Sequence, residues 1–145
     1  MSRYVVDASV ALKWFIPEAH SPEAAALLDP AHSLHAPDLL FAEVGNTLWK
    51  KTRRRELSPA EARLVLRGLA SVPLDITPAR ALIGGALDLA LHVGCTAYDA
   101  MYLALAVHHD CRLVMADHRL RELIGRKALA RHISACRESS TGRKL

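Results

Sequence analysis

Four carboxylates spread along this 145-residue chain, Asp7, Glu43, Asp99 and Asp117, have no lysine or arginine as an immediate neighbour. Acids gathered without basic partners repel one another and raise each other's pKa. A divalent cation relieves that cost, and oxygen-only donors suit a hard ion, Mg2+ or Mn2+, better than zinc. Such an ion provides a water nucleophile near neutral pH and steadies the charge of an in-line displacement. The chemistry this set would perform is hydrolysis of phosphodiester bonds. A structural role competes at each position. Asp7 and Asp117 can serve as helix caps, Asp99 as the return arm of a capping box opened by Thr96, and Glu43 as a surface residue. Asp99 argues most strongly against that alternative. Its helix, YDAMYLALAV, is apolar nearly all round, and a buried carboxylate is costly unless paired, capped or metal-bound.

Positioning these acids falls to elements whose starts are legible. Ser21-Pro22, Ser58-Pro59 and Thr77-Pro78 each set a hydroxyl cap before a proline at the first helical position. Glu61 follows Ser58 at capping-box spacing, as Asp99 follows Thr96. These features predict helices near 22–29, 59–71, 78–92 and 97–109, one over 8–16 ending at Pro17, one from Asp38 to the KKTRRR stretch, and a short one after Asp117. Between them lie the apolar runs Tyr4 to Val6, Ser33 to Ala36, Leu74 to Ile76, Leu113 to Met115 and His132 to Ser134. Strands alternating with helices predict an α/β fold with a parallel sheet, several crossovers carrying two helices. Ligands bind beyond the carboxyl ends of such strands. Asp7 ends the first strand, and Asp117 lies just past the run Leu113 to Met115. Glu43 is about a turn into the helix after the second strand, and Asp99 opens the helix leading to the Asp117 strand. All four can reach one edge of the fold.

The bulk properties narrow the classes. One domain is expected at this length, and a 51% hydrophobic share sets disorder aside. A net charge of +4 and a pI near 9.2 favour a polyanionic partner such as nucleic acid. Cys95, Cys111 and Cys136 lack CxxC spacing and read as reduced thiols of a cytoplasmic protein. No basic-then-apolar leader precedes the first strand, and the stretch Ala81 to Leu91, which holds Asp88, is too short and polar to span a bilayer. The tail from Glu138 to Leu145 is polar and expected to fray. The cations Lys50, Lys51, Arg53, Arg54 and Arg55 suit RNA backbone phosphates, or else the negative end of a helix dipole. Arg119, Arg121, Arg126 and Lys127 form a weaker patch. His108, His109 and Cys111 lack zinc-site spacing. Trp14, Phe15, Phe41 and Trp49 are expected as core or dimer contacts. Neither a P-loop nor a nucleophile elbow is present.

The segments DASVALKW, EVGN, YDAMYLALA and VMADHRL, in this order, resemble the PIN-domain family, and most of all its VapC toxin branch. The likeness runs from Tyr4 to about Leu123. It implies a three-layer α/β fold with a short parallel sheet of about five strands between helices, filling residues 1–137 as one nuclease domain. It also implies an Mg2+- or Mn2+-dependent endoribonuclease that forms a homodimer and is held inactive by a small VapB-like antitoxin, whose basic tail enters the acidic groove. By position, Asp7 and Asp99 would be the principal metal ligands, completed by Glu43 and Asp117. Ser9 falls where the family often has a hydroxyl, and Asn46 shares the helix face of Glu43. Members often have Thr before the Ala-Asp pair, where this chain has Met115, and His118 stands where another polar or acidic residue is common.

Two other function classes share parts of this pattern. An aspartate-based phosphotransferase also places Asp at a strand end, but the haloacid-dehalogenase type needs a second Asp two residues on, where Ser9 stands. A non-catalytic module using an acidic groove to hold a basic peptide would have no reason to keep all four acids.

Overall fold

The computed structural model describes residues 2–116, 119–124 and 128–135. The elements run β1 (Ser2–Val6), α1 (Ala8–Lys13), α2 (Ser21–Ala26), β2 (His32–Pro37), α3 (Leu39–Arg53), α4 (Pro59–Ser71), β3 (Leu74–Thr77), α5 (Ala79–Val93), α6 (Ala97–His108), β4 (Arg112–Met115), α7 (Arg119–Ile124), a 3-10 turn (Ala128–His132) and β5 (Ile133–Ala135). The five strands form one sheet of order β3-β2-β1-β4-β5, with every pairing parallel. Each of the first three crossovers carries two helices. The chain builds outward from β1 through β2 to β3, then returns to add β4 and β5 on the other side. That reversal opens a crevice at the carboxyl ends of β1 and β4.

Both faces of the sheet are covered, as an all-parallel sheet requires. Val5, Ala36, Leu113 and Met115 pack into the larger core with side chains from α1, α3, α4, α5, α6 and α7. Val6, Leu34 and Val114 face the opposite way, onto Val10 of α1 and Ala24 of α2 with Leu27. The two sets alternate along β1 and β4, the period-2 pattern of a strand buried on both sides. α6 is nearly all apolar because it is nearly all buried, from Ala100 to Ala106, with only Ala104 partly open. Among the described residues no single helix is long and apolar enough to cross a membrane.

The helix starts follow the sequence at Ser58 and Thr96 but not at the other two predicted caps. Ser58 and Glu61 form the reciprocal box, and Thr96 Oγ1 accepts from Asp99 N at 3.1 Å. At α2 the cap is His20 in a left-handed conformation (φ 65°), while the Ser21 hydroxyl accepts from Glu18 N at 3.0 Å. At α5 the cap is Pro78, which has no capping side chain there. Asp38 supplies it from a distance: its carboxylate accepts from Ala79 N at 2.8 Å, and its own N–H donates to the Thr77 carbonyl at 3.0 Å. The parallel register that sets Pro37 beside Thr77 makes this exchange possible. Phe41 and Trp49, expected in the core or an interface, are 41% and 55% exposed, which removes the core alternative. Trp14 and Phe15 are partly buried against the core. Cys95 and Cys111 are free thiols. Cys136 and the tail 138–145 lie outside the described residues.

Candidate active site

Asp7, Glu43 and Asp99, more than thirty residues apart in sequence, line one groove of about 530 Å³ at the carboxyl edge of the sheet, together with Ser9, Asn46, Lys50 and Lys51. Asp117 and His118 lie outside the described residues, although β4 and Met115, which lead to them, run to the same groove.

Asp7 follows the last residue of β1 and caps α1. Its Oδ1 accepts from Val10 N at 3.0 Å and from the Ser9 hydroxyl at 2.6 Å. The structural role considered for Asp7 is therefore real, and it leaves the carboxylate on the groove wall. Burial pushes this carboxyl up from 3.8 to about 6. The Ser9 and Val10 bonds pull it back down, and the charges of Glu43 and Asp99 add to the rise. The Ser9 oxygen also accepts from Ala116 N at 3.2 Å. One hydroxyl thus connects the acid ending β1 with the backbone just before Asp117.

Glu43 lies one turn into α3 and is half-buried. Burial raises its carboxyl and Asp99 raises it further, while a hydrogen bond from Tyr102, at 2.5 Å to Oε1, opposes both. Tyr102 is 3% exposed. Burial and the adjoining Glu43 hold its phenol far above the ordinary range, so it acts as a hydrogen-bond donor at every working pH. Asp99 opens α6 from the floor of the same groove.

The basic residues divide. Lys50 and Lys51 line the groove beside Asn46, and Lys51 pairs with Glu56 at 3.4 Å. Arg53 and Arg54 sit on an adjacent shallow surface with Trp49 and Lys50, the Arg53 guanidinium standing 5.1 Å from the Trp49 ring centre. Arg55 takes a positive φ of 60° at the exposed turn after α3. Polar groove residues that escaped the sequence reading include Glu18 and Thr47 and, most informatively, Lys13 and Tyr102. Lys13 Nζ is nearly buried, donating to the Ala19 carbonyl at 2.8 Å and pairing with Glu18 at 3.4 Å. Lys13 and Tyr102 follow named residues at helical spacing, Lys13 four after Ser9 and Tyr102 three after Asp99, and that spacing could have found them. His109, set aside for zinc, stacks on His35 with 4.2 Å between ring centres.

The donors suit a hard divalent ion in kind: they are oxygens, and Asp7 sits high in pKa beside two further acids. Among the described residues no three His, Cys, Asp or Glu side chains converge closely enough to enclose an ion. Mg2+ commonly binds through one or two carboxylates plus waters and substrate phosphate rather than an all-protein cage, so the open arrangement fits it.

A PIN domain description matches residues 4–125. Ribonuclease VapC3 of Pyrobaculum aerophilum is 37% identical over 122 residues, 83% of this chain and 93% of that protein. The crystal structure of PAE2754 from Pyrobaculum aerophilum superposes with a TM-score of 0.70 at 27% identity, covering 94% of this chain and 85% of that one. A toxin-antitoxin complex from Klebsiella pneumoniae shares the fold at 13% identity, with a TM-score of 0.63 over 92% of this chain and 97% of its own. With the sheet order, the groove and the matched span in agreement, this chain is a member of the PIN-domain family.

Proposed function

We propose that this protein is a divalent-metal-dependent endoribonuclease, the toxin of a toxin–antitoxin pair acting in the cytoplasm. The observation that carries the reading is the groove itself, where Asp7, Glu43 and Asp99 share one edge and Asp7 is pushed to about 6 by burial and by the other two. Asp7 and Asp99 would hold Mg2+ or Mn2+, with Glu43 and Asp117 completing the set. Bound there, the ion supplies charge neutralisation and an activated water for attack on phosphorus. Ser9 orients Asp7 through its 2.6 Å bond. Asn46 and Lys50 flank the acids, and Lys50, Lys51, Arg53, Arg54 and Arg55 would guide the RNA backbone by its phosphates. Among the described groove residues the carboxylates of Asp7, Glu43 and Asp99 are the groups that could take up a proton released by the attacking water.

The test is incubation of a pool of cellular RNAs with the protein in Mg2+, in Mn2+ and in chelator. Cleavage is expected only with the ion, leaving 5′-phosphate and 3′-hydroxyl ends. Asp99→Ala should lose cleavage by several orders of magnitude while keeping its circular dichroism spectrum; full activity in that variant refutes the assignment.

The partner follows from the same electrostatics. An acidic floor accepts the arginine or lysine of an antitoxin tail, which would neutralise the cluster and exclude the ion. A second copy of the chain is supported by α5, where Ile83, Leu87 and Leu91 expose an apolar stripe at one-turn intervals.

A further inference from the structure

Tyr102 lies one turn after Asp99 on α6, and its hydroxyl donates to Glu43 on α3, 59 residues away in sequence. The residue is almost wholly buried, in the core that also holds Leu103 and Leu105. Phenylalanine would fill that space with the same ring. A hydroxyl there must find a partner or carry the full cost of desolvation. Its partner is a groove acid rather than a backbone carbonyl. The 2.5 Å bond is a short, charge-assisted one, of the strong class that fixes orientation. A phenol has one proton to give, and here it is committed to Oε1 of Glu43. Glu43 is half-buried on α3, and a glutamate side chain without a fixed partner keeps its rotamer freedom.

We propose that Tyr102 is a positioning residue of the acid cluster, its hydroxyl holding the Glu43 carboxylate in place so that Glu43 meets a divalent cation with one oxygen already fixed. This rests on the nuclease reading above and adds to it the residue that links the two helices carrying Glu43 and Asp99. Residues that hydrogen-bond a metal-holding carboxylate from behind act in this way, and their loss weakens the metal without removing a ligand.

The experiment is a double-mutant cycle on the full chain, using Tyr102→Phe, Glu43→Ala and the pair. Mn2+ affinity is read by titration calorimetry, and cleavage is followed as a function of Mn2+ concentration. Tyr102→Phe should weaken Mn2+ about tenfold and shift the Mn2+ needed for half-maximal cleavage by the same factor. On the Glu43→Ala background it should add less than about twofold, because residues acting through one another are not additive. Tyr102→Leu, which also lacks the hydroxyl but does not share the ring, should show the same loss and serves if the first variant fails to fold. A wild-type protein that binds Mn2+ and cuts RNA, beside a Tyr102→Phe protein equal to it, overturns this inference alone. A tenfold loss that persists in full when Glu43 is already Ala also overturns it, since Tyr102 would then act by another route. A wild-type protein that takes up no Mn2+ and cuts nothing overturns the nuclease reading and this inference together.

Discussion

Asp7 accepts two hydrogen bonds at one oxygen and still stands well above the ordinary carboxylate range, because burial and two neighbouring acids outweigh both bonds. The sign of the resulting pH dependence is fixed. A carboxyl raised from 3.8 to about 6 binds its proton more tightly in the folded state, so its stabilising contribution is complete below pH 3.8 and is lost as the pH rises to 6. Above that, the metal-free fold bears a cost on the order of 3 kcal/mol for ionising this group. Asparagine can accept the same two bonds without the charge. Asp7→Asn should therefore be inactive yet melt higher than the wild type at pH 7.5 in chelator, with the gap closing near pH 4. Adding Mn2+ should raise the wild-type melting temperature and leave the variant's unchanged. A variant that melts lower than the wild type at pH 7.5 would show that Asp7 is primarily a cap.

Asp38 heads α3 but caps α5, a division of labour visible only once β2 and β3 lie side by side. Asp38→Ala should cost about 1 kcal/mol in a urea melt, the usual worth of a lost helix cap. Thr77→Ala, which removes the hydroxyl that sequence favoured, should cost less than half as much. This exchange marks where sequence stops informing structure. Among the described residues each strand and α-helix was legible, though not the 3-10 turn at Ala128–His132, because prolines, hydroxyl residues and apolar runs are local features, and the box at Ser58 formed as spaced. Asp7, Glu43 and Asp99 were legible as a set because parallel strands send their carboxyl ends to one edge. The bond from Tyr102 to Glu43 and the burial of Lys13 were not, since each depends on a contact between elements that periodicity does not report. At Phe41 and Trp49 exposure leaves the dimer alternative and removes the core one, a choice the sequence left open because aromatic residues favour both cores and surfaces that bind.

At the scale of the whole molecule, α5 turns Ile83, Leu87 and Leu91 to the exterior while its other face packs into the core with Leu82, Ala86 and Ala90. If that stripe joins two copies, Leu87→Glu should convert a dimer to a monomer in light scattering, with little change in the melting of the isolated chain. A dimer that survives the charge places the second copy elsewhere. The bond from Ala116 N to Ser9 Oγ closes the chain on itself across 107 residues. During synthesis the first strand and its acid leave the ribosome long before that partner exists. At ordinary elongation rates of about 5–20 residues per second, the interval is roughly 5–20 s. Until it passes, the hydroxyl that orients Asp7 has nothing to lean on, and the groove lacks its β4 wall. On the proposed nuclease reading, the site is therefore completed only after residue 116 has joined the fold, by topology alone.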